Sequence, residues 1–439
     1  MPTITGIVYF LLSLFCLVVN RTWLFGLLIF AALFGAASAV NFGLYGIQPY
    51  YIVACVFVLS RIWKQSFWQR KFKGKRLVIL FGCVGIISAL IYPVLYKGTL
   101  VYNPHIGLDE GFLYRYPLQF GIQNITQATY LFIDVLVVFS VVSMPECKGF
   151  KYLYNYAFYF LAGVVILQFI CLQCGISFPY FIFQSNPGYA IVKINGADTA
   201  ARVMGTFAEP SMAGLSLVVF YAGYCYDFFA EKISMLKFAI SAFALIFVRS
   251  SSSLITMIVI TFCVIAYLLF FRSKTKAKLF YLISMTVLLL GTLNIMSSTL
   301  NTIAGKFILN KRSTLSYMYR TSADSCSLQI AKDTHWIGVG LGSNRSSSLI
   351  ATLLSTTGAL GMIVFIFLIV RLVSNLKGND SWLKWSLCAG FLDMSIGVSD
   401  VTMPILWVFL ALACYYVKTK RKMQTNLINN KLLQVGENL

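Results

Sequence analysis

Over most of the chain, apolar residues neither alternate with a period of two nor recur on one helical face; they run almost unbroken, and polar residues collect in the intervals. A helix needs about 20 consecutive apolar residues to cross a hydrocarbon layer of about 30 Å. About thirteen runs approach that length, near 5–19, 23–40, 43–60, 77–96, 126–143, 153–175, 210–230, 237–249, 254–271, 279–296, 347–373, 385–399 and 403–417. Lipid offers no partner for backbone polar groups, so each run must close its hydrogen bonds on itself. The pattern predicts an all-α integral membrane protein with about 12–14 transmembrane helices. No basic segment precedes the first run, which is expected to remain as a span.

The polar intervals differ from one another. Lysine and arginine gather in RIWKQSFWQRKFKGKR (61–76), MPECKGFKY (144–152), RSKTKAK (272–278) and KTKRK (418–422). Such clusters stay in the cytoplasm, so the N-terminus is expected outside and the C-terminus inside. Three long loops then face the outside: 97–125, 176–209 and 297–346. Together these features give one polytopic domain, 1–422, and a polar cytoplasmic tail, 423–439.

The composition agrees with this reading: 59% hydrophobic residues, 11% charged and a mean hydropathy of +0.79 exclude an ordinary soluble domain. Orientation and attraction to anionic lipid headgroups account for most of the net charge of +21. The exception is loop 297–346, where Lys306, Lys311, Arg312, Arg320, Lys332 and Arg345 face only Asp324 and Asp333. Topology asks for no cations there, which points to an anionic ligand. No basic and aromatic nucleic-acid module is readable. Most of the eleven cysteines fall inside apolar runs, and Cys326 stands alone in a loop, so no disulfide framework is implied. The Cys171 and Cys174 pair lies in an apolar run and not in a βαβ unit, which argues against a redox motif. His105 and His335 lie on different loops without clustered carboxylates, and GVGLGS (338–343) lacks the lysine of a phosphate loop; neither a metal nor a nucleotide cofactor is expected.

Candidate chemistry gathers at two helix starts. In RVMGTFAEPSMAG (202–214), Pro210 suits the first turn of the seventh run and Glu209 falls at its N-cap. A carboxylate there is favoured by the helix dipole, so simple capping accounts for it. The same position lets it accept a proton from a sugar hydroxyl, with Arg202 able to flank one substrate through the turn at Gly205. In HWIGVGLGSNRSSSLIATLL (335–354), Gly338, Gly340 and Gly342 permit close backbone approach, and Arg345 precedes serines that can cap the eleventh run. Two arginine-bearing helix starts on one side could converge on one pyrophosphate. Arg312, Arg320 and Arg249, the last in the turn RSSSSL, are further substrate-binding candidates. Asp134 and Asp393 are carboxylates inside apolar runs, and Asp400 lies in a short external turn.

R-x-x-G-T-F-x-E-P-S-x-x-G at 202–214 and H-W-I-G-V-G-L-G-S-x-R-S-S-S at 335–348 resemble the O-antigen polymerases of Gram-negative bacteria. Those proteins belong with O-antigen ligases and other lipid-linked glycan polymerases. The resemblance implies a GT-C-like fold in the inner membrane and an inverting, metal-independent glycosyltransferase without a cofactor. Such an enzyme moves a growing glycan from undecaprenyl pyrophosphate onto a new lipid-linked repeat unit at the periplasmic face. Carried onto this chain, Arg202 and Arg345 would bind the pyrophosphate and Glu209 would act as the base or orient the base region. The implied partners are the undecaprenyl-pyrophosphate-linked glycan and membrane lipids, with a chain-length regulator and a flippase as further candidates. Ligases usually carry a histidine after the glycine-rich motif, where this chain reads SNRSSS; where the family often has His-Pro, Trp336 follows His335. Polymerase is therefore preferred, with ligase or lipid-linked oligosaccharide flippase as the alternatives.

Overall fold

The computed structural model describes residues 1–418 apart from 44, 70–71, 103–113, 146–148, 189–202, 231–234, 272–282 and 284–314. The expected span 279–296 except Ile283, the basic run 272–278 and the tail 423–439 thus lie outside the described residues, as do Arg202, Arg312 and His105. The described chain is mainly helical: α1 (Ile4–Val19), α2 (Trp23–Ala31), α3 (Pro49–Ile62), α4 (Lys75–Leu95), α5 (Ile122–Val142), α6 (Phe150–Cys174), α7 (Pro210–Phe229), α8 (Met235–Val248), α9 (Ser251–Phe271), α10 (Leu315–Asp333), α11 (Leu349–Thr356), α12 (Gly358–Asn375) and α13 (Ser381–Gly397), then α14 (Pro404–Lys418). Among the described residues, α4, α5, α6, α7, α9 and α12 are long and apolar enough to cross a membrane, while α1, α3, α8 and α14 are shorter apolar helices.

Three expectations change. The fold is not wholly helical: β1 (Val40–Phe42) pairs antiparallel with β2 (Tyr45–Ile47), and β3 (Leu100–Val101) with β4 (Tyr116–Pro117). The run 23–40 is helical only to Ala31, because its second half bonds to other segments: Ala36 N–H donates to Thr206 O at 3.0 Å, and Asn186 N–H donates to Ala36 O at 3.1 Å. Irregular backbone amid apolar surroundings is tolerated where protein satisfies it in this way. The run 347–373 is broken between α11 and α12 at Gly358, φ +71°. The glycine-rich loop inserts there; Val339 N–H donates to Ser355 O, Gly340 N–H to Thr356 O, and Ala359 N–H to Trp336 O.

Helix α7 is the hub, packed by α8, α9 and α13. It is also the most enclosed of the long apolar helices: 89% of its apolar window is buried, against 33% for α9. A smaller core of Val101, Tyr102 and Leu118 beneath Ala323, Cys326 and Ile330 seats α10 on the β3–β4 ribbon. Chain direction separates the two ends of the bundle. One carries Lys73 bonded to Asn375, Lys75 to the Trp68 carbonyl, Lys151 to Asp227 and Lys418 to the Val142 carbonyl. The other carries the start of α7, the glycine-rich loop and α10.

Candidate functional site

The segment before α7 is held by its own sequence. Residues Val203 to Ala208 are all buried, while Glu209 is half-buried. Gly205 takes φ +59°, and a Cβ there would meet Val165 at 3.0 Å. Thr206 donates its hydroxyl to the Leu33 carbonyl, and the Phe207 ring fills the space beside Gly35, where a Cβ would sit 2.5 Å away. Gln184 donates to Phe207 O at 3.1 Å. The glycine, threonine and phenylalanine of the motif are thus consumed by packing.

Glu209 is not. It occupies the N-cap with extended backbone, φ −136° and ψ 149°, yet its side chain makes no capping hydrogen bond to α7. Its carboxylate accepts from the Ser211 hydroxyl at 3.0 Å. Pro210 fills the first helical position, where a missing N–H is harmless. The capping explanation for Glu209 therefore lacks its defining hydrogen bond.

The second helix start is closed. Ser348 caps α11 through its hydroxyl, which accepts from Ala351 N–H. Asp324 of α10 holds the two residues that lead into the helix: Ser347 donates its N–H at 2.8 Å and its hydroxyl at 2.9 Å, and Ser348 its N–H at 3.3 Å. A protein carboxylate stands where the sequence led us to expect an anionic ligand, which corrects that reading of the α11 start. The glycines before it face protein backbone. A Cβ at Gly338 would meet Thr356 O at 2.8 Å, at Gly340 Ser88 O at 2.5 Å, and at Gly342 Gln123 O at 2.7 Å. All three have positive φ, which glycine adopts without strain.

Arg320 and Arg345 both act on carboxylates within residues 393–402. A Cβ at Gly397 would lie 3.0 Å from the Ser252 hydroxyl and 3.5 Å from Arg320 Nη1, so the Arg320 guanidinium reaches the end of α13. Asp393, fully buried, accepts from Ser253 at 3.3 Å and from Thr256 at 3.2 Å, and Arg320 lies within its electrostatic reach. Ser250 and Ser253 also line α7 at Gly214, which ties the serine turn to the helix that Glu209 begins. Arg345, half-buried, acts on Asp400. Burial pushes the Asp400 carboxyl above its ordinary range, against the opposing pull of the Thr402 hydroxyl and N–H donors and of Arg345. Arg249 is exposed, with φ +53°, in the turn before α9. His335 and Trp336, φ +50° and +65°, form the exposed turn after α10. Asp134, in α5, is fully buried, accepts from Tyr50 at 3.0 Å and lies within electrostatic reach of Asp400.

Among the sequence candidates, Glu209, Arg249, Arg320 and Arg345 share one end of the bundle. Sequence reasoning did not single out Gln168 or find the role of Asp324. Gln168 is an amide in the middle of an apolar run, a signal that was there to read. Asp324 gives no local signal, since its partners are 23 and 24 residues away. Among the described residues no group of three or more histidine, cysteine, aspartate or glutamate side chains could hold a metal. No family model, curated protein or solved structure matches the chain.

Proposed function

We propose that the chain is an O-antigen polymerase: it joins undecaprenyl-pyrophosphate-linked oligosaccharide repeat units at the periplasmic face of the bacterial inner membrane, as a GT-C-like, inverting and metal-independent glycosyltransferase. One observation carries the reading. Glu209 sits at the start of the most enclosed long helix, without a capping bond, at the bundle end that also bears Arg320 and Arg345. A carboxylate without a capping bond, at a bundle end that also bears cations, suits a reaction in which a hydroxyl loses a proton while an anion departs.

In that reaction the acceptor sugar hydroxyl attacks the anomeric carbon of the donor glycan from the face opposite the pyrophosphate. The new C–O bond forms as the bond to the pyrophosphate oxygen breaks, and Glu209 takes the hydroxyl proton. Arg345, with Arg202 and Arg320, offers planar donors to the departing charge, where a lysine would offer only a point charge. Undecaprenyl pyrophosphate leaves, and its bond to the glycan supplies the driving force.

The test is a gel of lipopolysaccharide from the host strain lacking this gene, beside the complemented strain. A single repeat unit on lipid A-core, with the ladder lost and then restored on complementation, is the expected result. Bare core without any repeat unit would overturn the polymerase reading in favour of ligation or flipping.

A further inference from the structure

Neither motif holds its charged residue by the charged side chain itself; in each, a buried amide holds the neighbouring backbone. Gln168, fully buried on α6, accepts both Met204 N–H at 2.8 Å and Gly205 N–H at 2.7 Å through one oxygen. Its Nε2 is buried and has no hydrogen-bond partner among the described residues. An unpaired buried donor is destabilising, and a leucine or methionine would fill the same space without it. Retaining the amide makes sense if its oxygen is needed where it is.

The glycine-rich segment is held in the same manner. Asn344, 5% exposed, donates to Ser327 at 2.9 Å and to Ser355 at 3.1 Å. Its oxygen accepts Tyr102 N–H at 3.1 Å, while Arg345 N–H donates to Tyr102 O at 3.1 Å. The backbone at Arg345 is thereby tied to Tyr102, next to β3, by its own N–H and by the side chain of the residue beside it. Asn124 of α5 adds a further clamp, donating to Leu341 O and to Ser343.

We propose that Gln168 and Asn344 are positioning residues of the candidate site. Gln168 sets the turn that delivers Glu209 to the start of α7, and Asn344 sets the backbone that delivers Arg345. The activity part of this inference rests on the polymerase reading; the positional part does not.

The test pairs amide hydrogen exchange with turnover, both on the full chain in lipid nanodiscs, with turnover measured per folded molecule. In Gln168→Leu, exchange over residues 203–209 rises and kcat falls about a hundredfold, the size of effect a misplacement of about 1 Å can have. The KM for lipid-linked donor stays near its original value. Gln168→Glu keeps the acceptor oxygen and restores both protection and turnover; if Gln168→Leu fails to fold, Gln168→Met replaces it. Asn344→Ala instead raises the donor KM, since Arg345 meets the donor pyrophosphate already in the ground state. Unchanged exchange over 203–209 in the apolar variants overturns the proposal, whatever the activity. Raised exchange with kcat and KM both unchanged also overturns it. Raised exchange in a protein whose wild type forms no polymer leaves the positional role standing and sinks the polymerase reading alone.

Discussion

The starts of α7 and α11 look alike in sequence and differ in what occupies them. Each follows a glycine-bearing segment with an arginine and a polar residue at the cap. At α11 the protein completes the site itself: Ser348 caps the helix and Asp324 accepts three hydrogen bonds from Ser347 and Ser348. At α7 the carboxylate at the cap makes no capping bond and, among the described residues, accepts a hydrogen bond from the Ser211 hydroxyl alone. A helix start already faced by a carboxylate of the protein serves as a joint, while a carboxylate without a capping bond at the rim of a buried helix is available for chemistry. On the proposed reading the difference gives reactivity to the first motif and support to the backbone of the second, with Arg345, which acts on Asp400, as the charged part of the second.

Isosteric substitution breaks that comparison most sharply. On the proposed reading, Glu209→Gln lowers turnover about 10²–10⁴-fold, measured as ladder formation per folded molecule, because a neutral amide cannot take the hydroxyl proton. Gly340→Ala tests the supporting side. A Cβ forced against Ser88 O at positive φ destabilises the fold by about 1–3 kcal/mol, read as a lower thermal midpoint.

Asp324→Ala removes the carboxylate that closes α11 and lowers stability by about 2 kcal/mol. It also vacates a helix start, so inorganic phosphate is expected to raise the melting temperature of this variant and not of the wild type. Asp400→Asn has the smallest effect. Burial raises this carboxyl's pKa in the folded state, so folding binds a proton and stability declines as pH rises from the ordinary aspartate value of about 4 through the raised one. The asparagine variant loses that decline. Its gain in thermal midpoint over wild type is present above the window and vanishes below it.

Much of the bundle was legible in the apolar runs. The run 210–230 matches α7, and 77–96, 153–175 and 403–417 match α4, α6 and α14 to within a few residues, because a helix in lipid must be apolar along its whole length. The break at Gly358 and the early end of α2 were not legible. Both depend on backbone partners far away in sequence, Trp336 to Gly340 in one case and Thr206 and Asn186 in the other. The Glu-Pro signature located Glu209 at a helix start correctly, since proline and a carboxylate are local signals. The sequence could not reveal that Glu209 makes no capping bond, nor that Asp324 would fill the start of α11 from another helix. Glycines 338, 340 and 342 read as room for a ligand, and the space beside them holds protein backbone.

The most direct measurement sets Glu209→Gln beside Asp324→Asn in one experiment, as purified protein in nanodiscs supplied with lipid-linked repeat units and normalised to folded protein. The account predicts that polymer formation is lost in Glu209→Gln and stays within a few-fold of wild type in Asp324→Asn. Full polymer from Glu209→Gln, with or without loss in Asp324→Asn, would contradict it.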